Sequence, residues 1–356
     1  MASTGIQKVS IAGRSEELPP EPMIFGRSSA MQALRQKIDK VAAASVPILI
    51  QGDSGTGKGV LARYLHSRSP VSAGPFTKVN CAAIPGTLLE SELFGYEKGA
   101  FTGAYAAKQG RVELAHGGTL FLDGIDEIDL GLQAKLLQLL QDAQFSRIGG
   151  REDITVQIRV ICATNRPLER EISIGRFRQD LYYRINVVNI NLPPLRARAE
   201  DIAELAAYFL KRHQKRHNTV VRDYSQTLLR LLEKHPWPGN IRELENLIER
   251  YVILGSEDAV SAELLHWDRT HAVPELPTSG PIHLKKVTRQ AVQELEGRII
   301  LSVLEANRWN RKRTASELKI SYRALLYKIR QAGLPPKRSA RRPPAAPPAD
   351  TPAVAD

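Results

Sequence analysis

Cysteine is scarce. Cys81 and Cys162 are the only two in 356 residues, and they lie far apart. That excludes a disulfide-stapled secreted scaffold and, with no second pair, a cysteine metal clamp; both are expected as buried thiols in a reducing compartment. No apolar run approaches the roughly 18 residues that a bilayer span requires. The first 22 residues, MASTGIQKVSIAGRSEELPPEP, lack the continuous apolar stretch of a secretory signal. The expectation is a soluble, cytoplasmic protein with no membrane contact. What is present is 42% hydrophobic and 25% charged residues, enough for two or three packed domains and inconsistent with a disordered chain or a fibre.

Charge is unevenly spread. Residues 281–356 hold 16 Lys and Arg against 6 Asp and Glu, so most of the net +12 falls in the last fifth of the chain. A basic segment on a near-neutral body suggests a module for a polyanion, most simply nucleic acid; a solvated basic tail is the alternative.

The pattern divides the chain. Residues 1–22 are polar and end in prolines, as an unstructured leader would. From 23 to 191, short apolar runs alternate with helical stretches, the pattern of a parallel α/β sheet, with strands expected at Val46–Ile50, Phe76–Asn80, Thr119–Asp123, Gln157–Cys162 and Val187–Asn191. Over 192–267 the strand signals vanish. Ile202, Leu205, Ala206, Phe209 and Leu210 have amphipathic-helix spacing, and further helices are expected near Ser225–Lys234 and Asn240–Leu254. Pro236-Trp237-Pro238-Gly239 must separate those two, because proline lacks the amide donor. Residues 268–282 contain three prolines and read as a linker, 283–334 as a basic helical module, and 335–356 as an unpacked Pro-rich tail.

Within the α/β part, Gly52-Asp53-Ser54-Gly55-Thr56-Gly57-Lys58 follows an apolar strand and precedes the helical run from Val60. Such a loop aims backbone amides at phosphate oxygens, the helix N-terminus adds partial positive charge, and the lysine adds a full one. Alone it could be an ordinary glycine-rich turn; the strand before and the helix after favour a phosphate loop. Gly59 stands where such loops usually carry the Ser or Thr that meets the metal. Asp123 ends the buried strand Thr119–Leu122. A carboxylate there can hold the water shell of a Mg²⁺ beside the loop, or simply cap the next helix. Its order and distance from the loop favour the first.

Gly99-Ala100-Phe101-Thr102-Gly103-Ala104, preceded by Glu92-Leu93-Phe94-Gly95, is on its chemistry alone a flexible small-residue loop displaying one aromatic. It matches without a break the GAFTGA signature of the sigma-54-dependent transcription activators, the bacterial enhancer-binding AAA+ proteins, and the resemblance extends over about 23–334. It implies an AAA+ ATPase core, a helical lid and a helix-turn-helix domain, with ATP and Mg²⁺ as cofactors. It also implies a loop of six residues, Gly99 to Ala104, that grips sigma-54. Val79-Asn80-Cys81 resembles the strand whose Asn80 senses nucleotide state, and Ala163-Thr164-Asn165-Arg166 resembles sensor I, with Asn165 near the γ-phosphate. Arg176–Arg184 resembles the arginine-finger segment, which maps the fingers to Arg178 and Arg184. Trp237–Leu244 resembles sensor II, with Arg242 over the nucleotide. Fingers donated by a neighbouring subunit make activity depend on a ring, and each can be worth about 10³–10⁵ in rate.

Two positions depart from that pattern. Where the family has Asp-Glu at the end of this strand, this chain has Asp123-Gly124, and where it has Glu after the lysine, this chain has Gly59. Loss of a general base typically costs about 10²–10⁴ in rate. Asp126 and Glu127 are near in sequence, but Glu127 matches a different family position.

In the basic module, Val287, Ala291, Leu295, Ile299 and Val303 step by four residues, as a long helix suited to dimer packing would. Asn310 can cap a helix Arg311–Leu318 carrying Arg311, Lys312 and Arg313. Ser321 can cap a second, Tyr322–Ala332, with Leu325, Leu326 and Ile329 inward and Tyr322, Arg323, Tyr327, Lys328 and Arg330 outward. That is helix-turn-helix geometry for the major groove of double-stranded DNA, similar to the Fis-type domain of the same activators. A small oligomerisation module is the alternative, but it has no use for the charge. Lys319 stands where the family often has glycine, so a strained turn is expected.

Together these expectations describe an activator that binds upstream DNA as a dimer and assembles up to a hexameric ring on ATP–Mg²⁺. It would then remodel the sigma-54 RNA polymerase closed complex. The 22-residue leader is too short for a receiver domain, so control is expected from a separate protein, from expression level or from a partner subunit. Gly124 supports an alternative, a non-hydrolysing regulator or silent ring subunit that binds ATP and DNA.

Overall fold

The computed structural model describes residues 18–271 and, within 296–331, all but 298, 302, 305, 306 and 308. The chain divides into two units, Met1–Leu264 and Leu265–Asp356.

The first unit begins with α1 (Glu21–Phe25), whose first two residues belong to the stretch expected to be an unstructured leader. The reason is Glu21: its carboxylate accepts from Arg35 at 2.6 Å and from Tyr64 Oη at 3.1 Å, and also pairs with Arg68. These contacts hold its pKa below the usual carboxylate range, the Arg68 hydrogen bond foremost. Residues 1–17 of the expected leader lie outside the described residues. There follow α2 (Ser29–Ala42), β1 (Ile48–Gln51), α3 (Lys58–Ser67), β2 (Phe76–Asn80), α4 (Gly86–Phe94) and a small strand pair, β3 (Gly95–Tyr96) with β4 (Lys108–Gln109). Next come α5 (Arg111–Leu114), β5 (Thr119–Asp123), α6 (Leu130–Asp142), a second pair, β6 (Gln144–Phe145) with β7 (Ile154–Thr155), then β8 (Arg159–Thr164), α7 (Leu168–Ser173), α8 (Gln179–Ile185) and β9 (Val188–Asn191).

Five strands form one parallel sheet in the order β2-β5-β8-β1-β9. Successive side chains of a strand point to opposite faces, so each strand feeds two cores. Leu49, Leu120, Leu122 and Cys162 pack under α4–α8, while Ile48, Ile50, Phe121, Ile161 and Ile190 pack under α1–α3. β1 and β8 begin two residues later than the apolar pattern predicts and run on to Gln51 and Thr164, which pair in register. Arg159, buried on β8, donates to the carbonyls of Ala42, Leu65 and Val41 at 2.8, 3.2 and 3.1 Å. One cation thereby satisfies the C-terminal ends of α2 and α3. The two strand pairs were not expected from the sequence; two-residue strands carry no periodicity to read. Both cysteines are buried free thiols, and burial pushes Cys81 up to about 12.

After β9 come α9 (Ile202–His217), α10 (Gln226–Lys234), α11 (Asn240–Leu254) and α12 (Glu257–His271). They gather around Leu195, Ile202, Phe209, Leu232, Trp237, Leu244 and Tyr251. Trp237 is fully buried, its indole N–H donating to Leu232 O at 2.8 Å, and it lies in the expected break between α10 and α11. Helix α12 carries past residue 268, where the prolines suggest a linker; 272–282 lies outside the described residues.

In the second unit, the helix Arg311–Glu317 is capped by Asn310, whose side chain accepts from Arg313 N at 3.2 Å. A second helix, Tyr322–Gln331, is capped by Ser321, which accepts from Ala324 N at 3.1 Å. Their core is Ile300, Leu304, Ala315, Leu325 and Ile329. The four-residue stripe expected for dimer packing is a different face: Ile299 is exposed and Val303 half-buried, and Val287, Ala291 and Leu295 lie outside the described residues. Lys319 has φ +54°, the left-handed strain expected at that turn. Residues 332–356 lie outside the described residues. Among the described residues no helix is long and apolar enough to cross a membrane.

Candidate nucleotide site and interaction surfaces

Parallel strands put their C-terminal ends on one edge, and ligands of such sheets bind there. Here that edge brings together Gln51, Asn80, Asp123 and Thr164, through the registers Asn80–Asp123, Asp123–Ala163 and Gln51–Thr164. A cleft of about 670 Å³ opens above them, lined by Ser54, Gly55, Thr56, Gly57, Lys58, Gly59, Asn80, Asp123, Gly124, Asn165 and Arg242 among others. Of the residues expected to hold nucleotide, Gly52 and Asp53 lie at the base of the loop and outside this lining.

The loop is held in shape by several contacts. Thr56 Oγ1 donates to Asp53 O at 2.8 Å, and the buried Arg198 donates to Thr56 O at 3.1 Å. Gly55 has φ +78°, and a Cβ there would sit 2.2 Å from Gly239 O, so glycine alone lets the N-terminal end of α11 approach the loop. Asn240 completes the seam: its Oδ1 accepts from Leu195 N at 2.8 Å and its Nδ2 donates to Ser54 O at 2.9 Å. Arg242 reaches Ser54 Oγ at 3.3 Å.

Lys58 is buried and donates to the carbonyls of Gly52 and Asp53 at 2.7 and 3.0 Å. Burial lowers its pKa, and Asp123 and Asp126 pull it back up. Asp123 Oδ2 lies 3.2 Å from Lys78 Nζ, a residue that belongs to none of the sequence motifs. One signal was available: 78 and 80 share a strand face by the period of two. The lid residues Tyr208, Phe209, Arg212 and Glu245 also line the cleft, from helices whose sequence reads only as core packing.

At Gly124 the backbone is left-handed, with φ +81°, and the nearest atom to an added Cβ is Ala82 Cβ at 3.5 Å, so there is room for a side chain but at a strained conformation. The two neighbouring carboxylates have partners of their own. Asp126 Oδ1 accepts from Thr164 Oγ1 at 2.7 Å, and Glu127 pairs with Arg166 at 2.9 Å. Loop amides and Lys58 suit a polyphosphate; for a divalent ion the sheet edge offers the carboxylate of Asp123, and Gly59 brings no hydroxyl.

Arg178, the N-cap of α8, and Arg184, in its last turn, lie outside the lining of the cleft. Arg178 clasps Asp180 through two bonds of 3.0 and 2.7 Å, and Arg184 donates to Leu140 O at 3.1 and 2.7 Å.

The loop Gly99–Ala104 is carried between β3 and β4. It is closed by Gly99 N to Ala104 O at 2.9 Å, with Ala104 buried and Phe101 45% exposed, its ring edge-on to Tyr96 at 4.9 Å. Arg147 braces its base, bonding Glu113 at 2.8 and 2.7 Å and Glu97 at 2.8 Å.

In the second unit, Lys312, Arg313, Ser321, Tyr322, Arg323, Tyr327 and Arg330 are exposed, while Arg311 is half-buried. Lys328, expected to face outward, is half-buried and paired with Glu296, an acid distant in the chain that folds to within its reach. Leu326, expected inward, is half-buried.

Three family models match in order: the sigma-54 interaction domain over 24–191, the AAA+ ATPase lid domain over 196–279, and the Fis family of bacterial regulatory proteins over 291–331. The chain is 46% identical over 316 residues to the regulatory protein AtoC of Escherichia coli, covering 88% of this chain and 68% of that one. With the transcriptional regulator NtrC of Rhizobium meliloti it is 39% identical over 345 residues, covering 89% and 71%. Among solved structures, NtrX from Brucella abortus in complex with ADP superposes with TM-score 0.65 at 34% identity, over 90% of this chain and 70% of that one. The same protein in complex with ATP gives 0.64 at 36%, over 87% and 69%. Matched in that order, and over more than two thirds of these relatives' length, the chain belongs to the sigma-54-dependent transcriptional activators, AAA+ proteins that bind nucleotide and DNA.

Proposed function

We propose that the nucleotide is ATP, taken into the cleft with the 54–59 loop amides and Lys58 on its phosphates and Arg242 closing from the lid. Asn80 and Asn165 would sense the terminal phosphate, and Asp123 would hold Mg²⁺, which when bound shields phosphate charge. The chain acts in the cytoplasm. It binds upstream DNA as a dimer through Arg311, Lys312, Arg313, Ser321, Tyr322, Arg323 and Tyr327. It assembles toward a hexameric ring in which Arg178 and Arg184 reach a neighbour's nucleotide. The Phe101 loop then presses on sigma-54 in the closed polymerase complex. The observation carrying this reading is the convergence of Lys58, Asn80, Asp123, Asn165 and Arg242 on one cleft, alongside a braced loop with Phe101 exposed.

The test is capture of sigma-54 by the full chain with ATP or a transition-state analogue, beside Phe101→Ala. Capture that needs nucleotide and is lost in the variant supports the reading; no capture with any nucleotide overturns it.

A second reading rests on Gly124 and on the engagement of Asp126 and Glu127: the chain binds ATP without hydrolysing it and serves as a subunit mixed with an active relative. Steady-state turnover at several protein concentrations, beside Gly124→Glu, separates the two. Turnover per subunit that rises with concentration supports the hydrolysing ring. Silence in wild type, with turnover gained in the variant despite about 1–2 kcal/mol of left-handed strain, supports the second reading. That reading also requires that mixing change an active relative's rate.

A further inference from the structure

Beside the cleft, on the lid, α9 and α11 bring together three groups that the nucleotide chemistry does not use. His213 and His217 are one turn apart on α9, and Glu249 faces them from α11. His213 is 2% exposed, and neither of its ring nitrogens has a hydrogen-bond partner. An imidazole buried with both nitrogens unsatisfied is costly, and its position calls for a ligand. Its Nδ1 lies 3.6 Å from Glu249 Oε1, and His217 Nε2 lies 3.0 Å from the same oxygen. One donor atom from each of the three residues falls within 4.8 Å of the others.

Those spacings match a small, borderline-soft cation. Bonds of about 2.0–2.2 Å from a tetrahedral Zn²⁺ to nitrogen and oxygen put neighbouring donor atoms about 3.3 Å apart. Two histidines at i and i+4 with a carboxylate opposite are a donor set of the right kind, leaving a fourth position for water. The far nitrogen of His213 faces Glu245 at 3.8 Å, where a carboxylate can orient the ring. Arg216, 69% exposed and 3.6 Å from Glu249, competes for the carboxylate but can swing into water.

We propose that His213, His217 and Glu249 form a transition-metal site of the Zn²⁺ class that clamps α9 to α11. Both helices face the cleft, α9 through Phe209 and Arg212 and α11 through Arg242 and Glu245. A clamp there stiffens the lid wall.

The test uses the untagged full chain, stripped with chelator and free of nucleotide, titrated with ZnCl₂ against a chromophoric competitor. His217→Gln is the main variant because His217 is partly exposed and its replacement leaves the core intact; His213→Asn is the second. The expected result is about one equivalent of Zn²⁺ bound, weakened more than about tenfold in either variant. A Zn²⁺-dependent rise in Tm should be present in wild type and absent in His217→Gln. Co²⁺ should give the strong visible absorption of a four-coordinate ion. Affinity unchanged in His217→Gln, or no tight equivalent in wild type, overturns the site.

Discussion

Lys78 Nζ lies 3.2 Å from Asp123 Oδ2, so the carboxylate expected to meet Mg²⁺ already has a counterion built into the neighbouring strand. A Cβ at Gly59 would lie 3.6 Å from that same nitrogen. With glycine at 59, Lys78 faces no side chain from the start of α3 and turns to Asp123. A divalent ion and Lys78 therefore compete for one group.

Lys78→Ala should lower the Mg²⁺ concentration needed for half-maximal nucleotide binding. The pair is half-exposed, so the effect is up to about fivefold. Titration of a fluorescent nucleotide at stepped Mg²⁺ measures it. Weaker nucleotide binding at saturating Mg²⁺ would instead make Lys78 a phosphate contact.

Asn240 sits fully buried at the start of α11 with φ +54°, tying the lid to the phosphate loop through Leu195 N and Ser54 O. Asn240→Ala leaves the buried Leu195 N–H and the part-buried Ser54 carbonyl unmatched and places alanine in a left-handed conformation. The expected loss is about 2–4 kcal/mol, from a desolvation penalty of about 1–3 kcal/mol per orphaned group. Urea unfolding of the first unit, together with nucleotide affinity, would show it; Asn240→Asp, which keeps the acceptor, should lose less.

The brace at the base of the Phe101 loop predicts a pH dependence. The hydrogen bonds from Arg147 hold the Glu113 carboxyl below its ordinary value of 4.5. The folded state thus binds fewer protons than the unfolded state just below that value. This contribution is complete above about pH 4.5 and is lost as pH falls through the depressed folded value. Arg147→Met should cost about 1.5–3 kcal/mol at pH 7 and flatten the loss between pH 5 and 3. Denaturant midpoints across that range check both, and equal slopes in the two proteins would count against the brace.

Lys319 holds a left-handed turn between the two helices of the second unit. Lys319→Gly should relieve about 1 kcal/mol of strain, offset in part by the freer unfolded chain. The expected outcome is a small rise in the Tm of that unit with DNA affinity kept at high salt. A fall in Tm would mean that the side chain packs.

Much of this molecule is legible without coordinates. The five sheet strands, the phosphate loop, Asp123 and the two capped helices of the basic module follow from local rules: short apolar runs between helical stretches, glycines before a lysine, and Asn310 and Ser321 ahead of helical stretches. Each is a property of a few neighbouring residues, which is what a sequence displays. The tertiary structure decided the rest, because it depends on residues far apart in the chain. Glu21 turns the end of a leader into α1 only because Arg35, Arg68 and Tyr64 converge on it. Lys328 leaves the exposed face only because Glu296 arrives beside it. Lys78 meets Asp123, and His213 meets Glu249, across distinct elements that no spacing rule connects. Burial and charge pairing are set by which surfaces fold together, so the motifs announce where the site is and the packing determines which charges it holds.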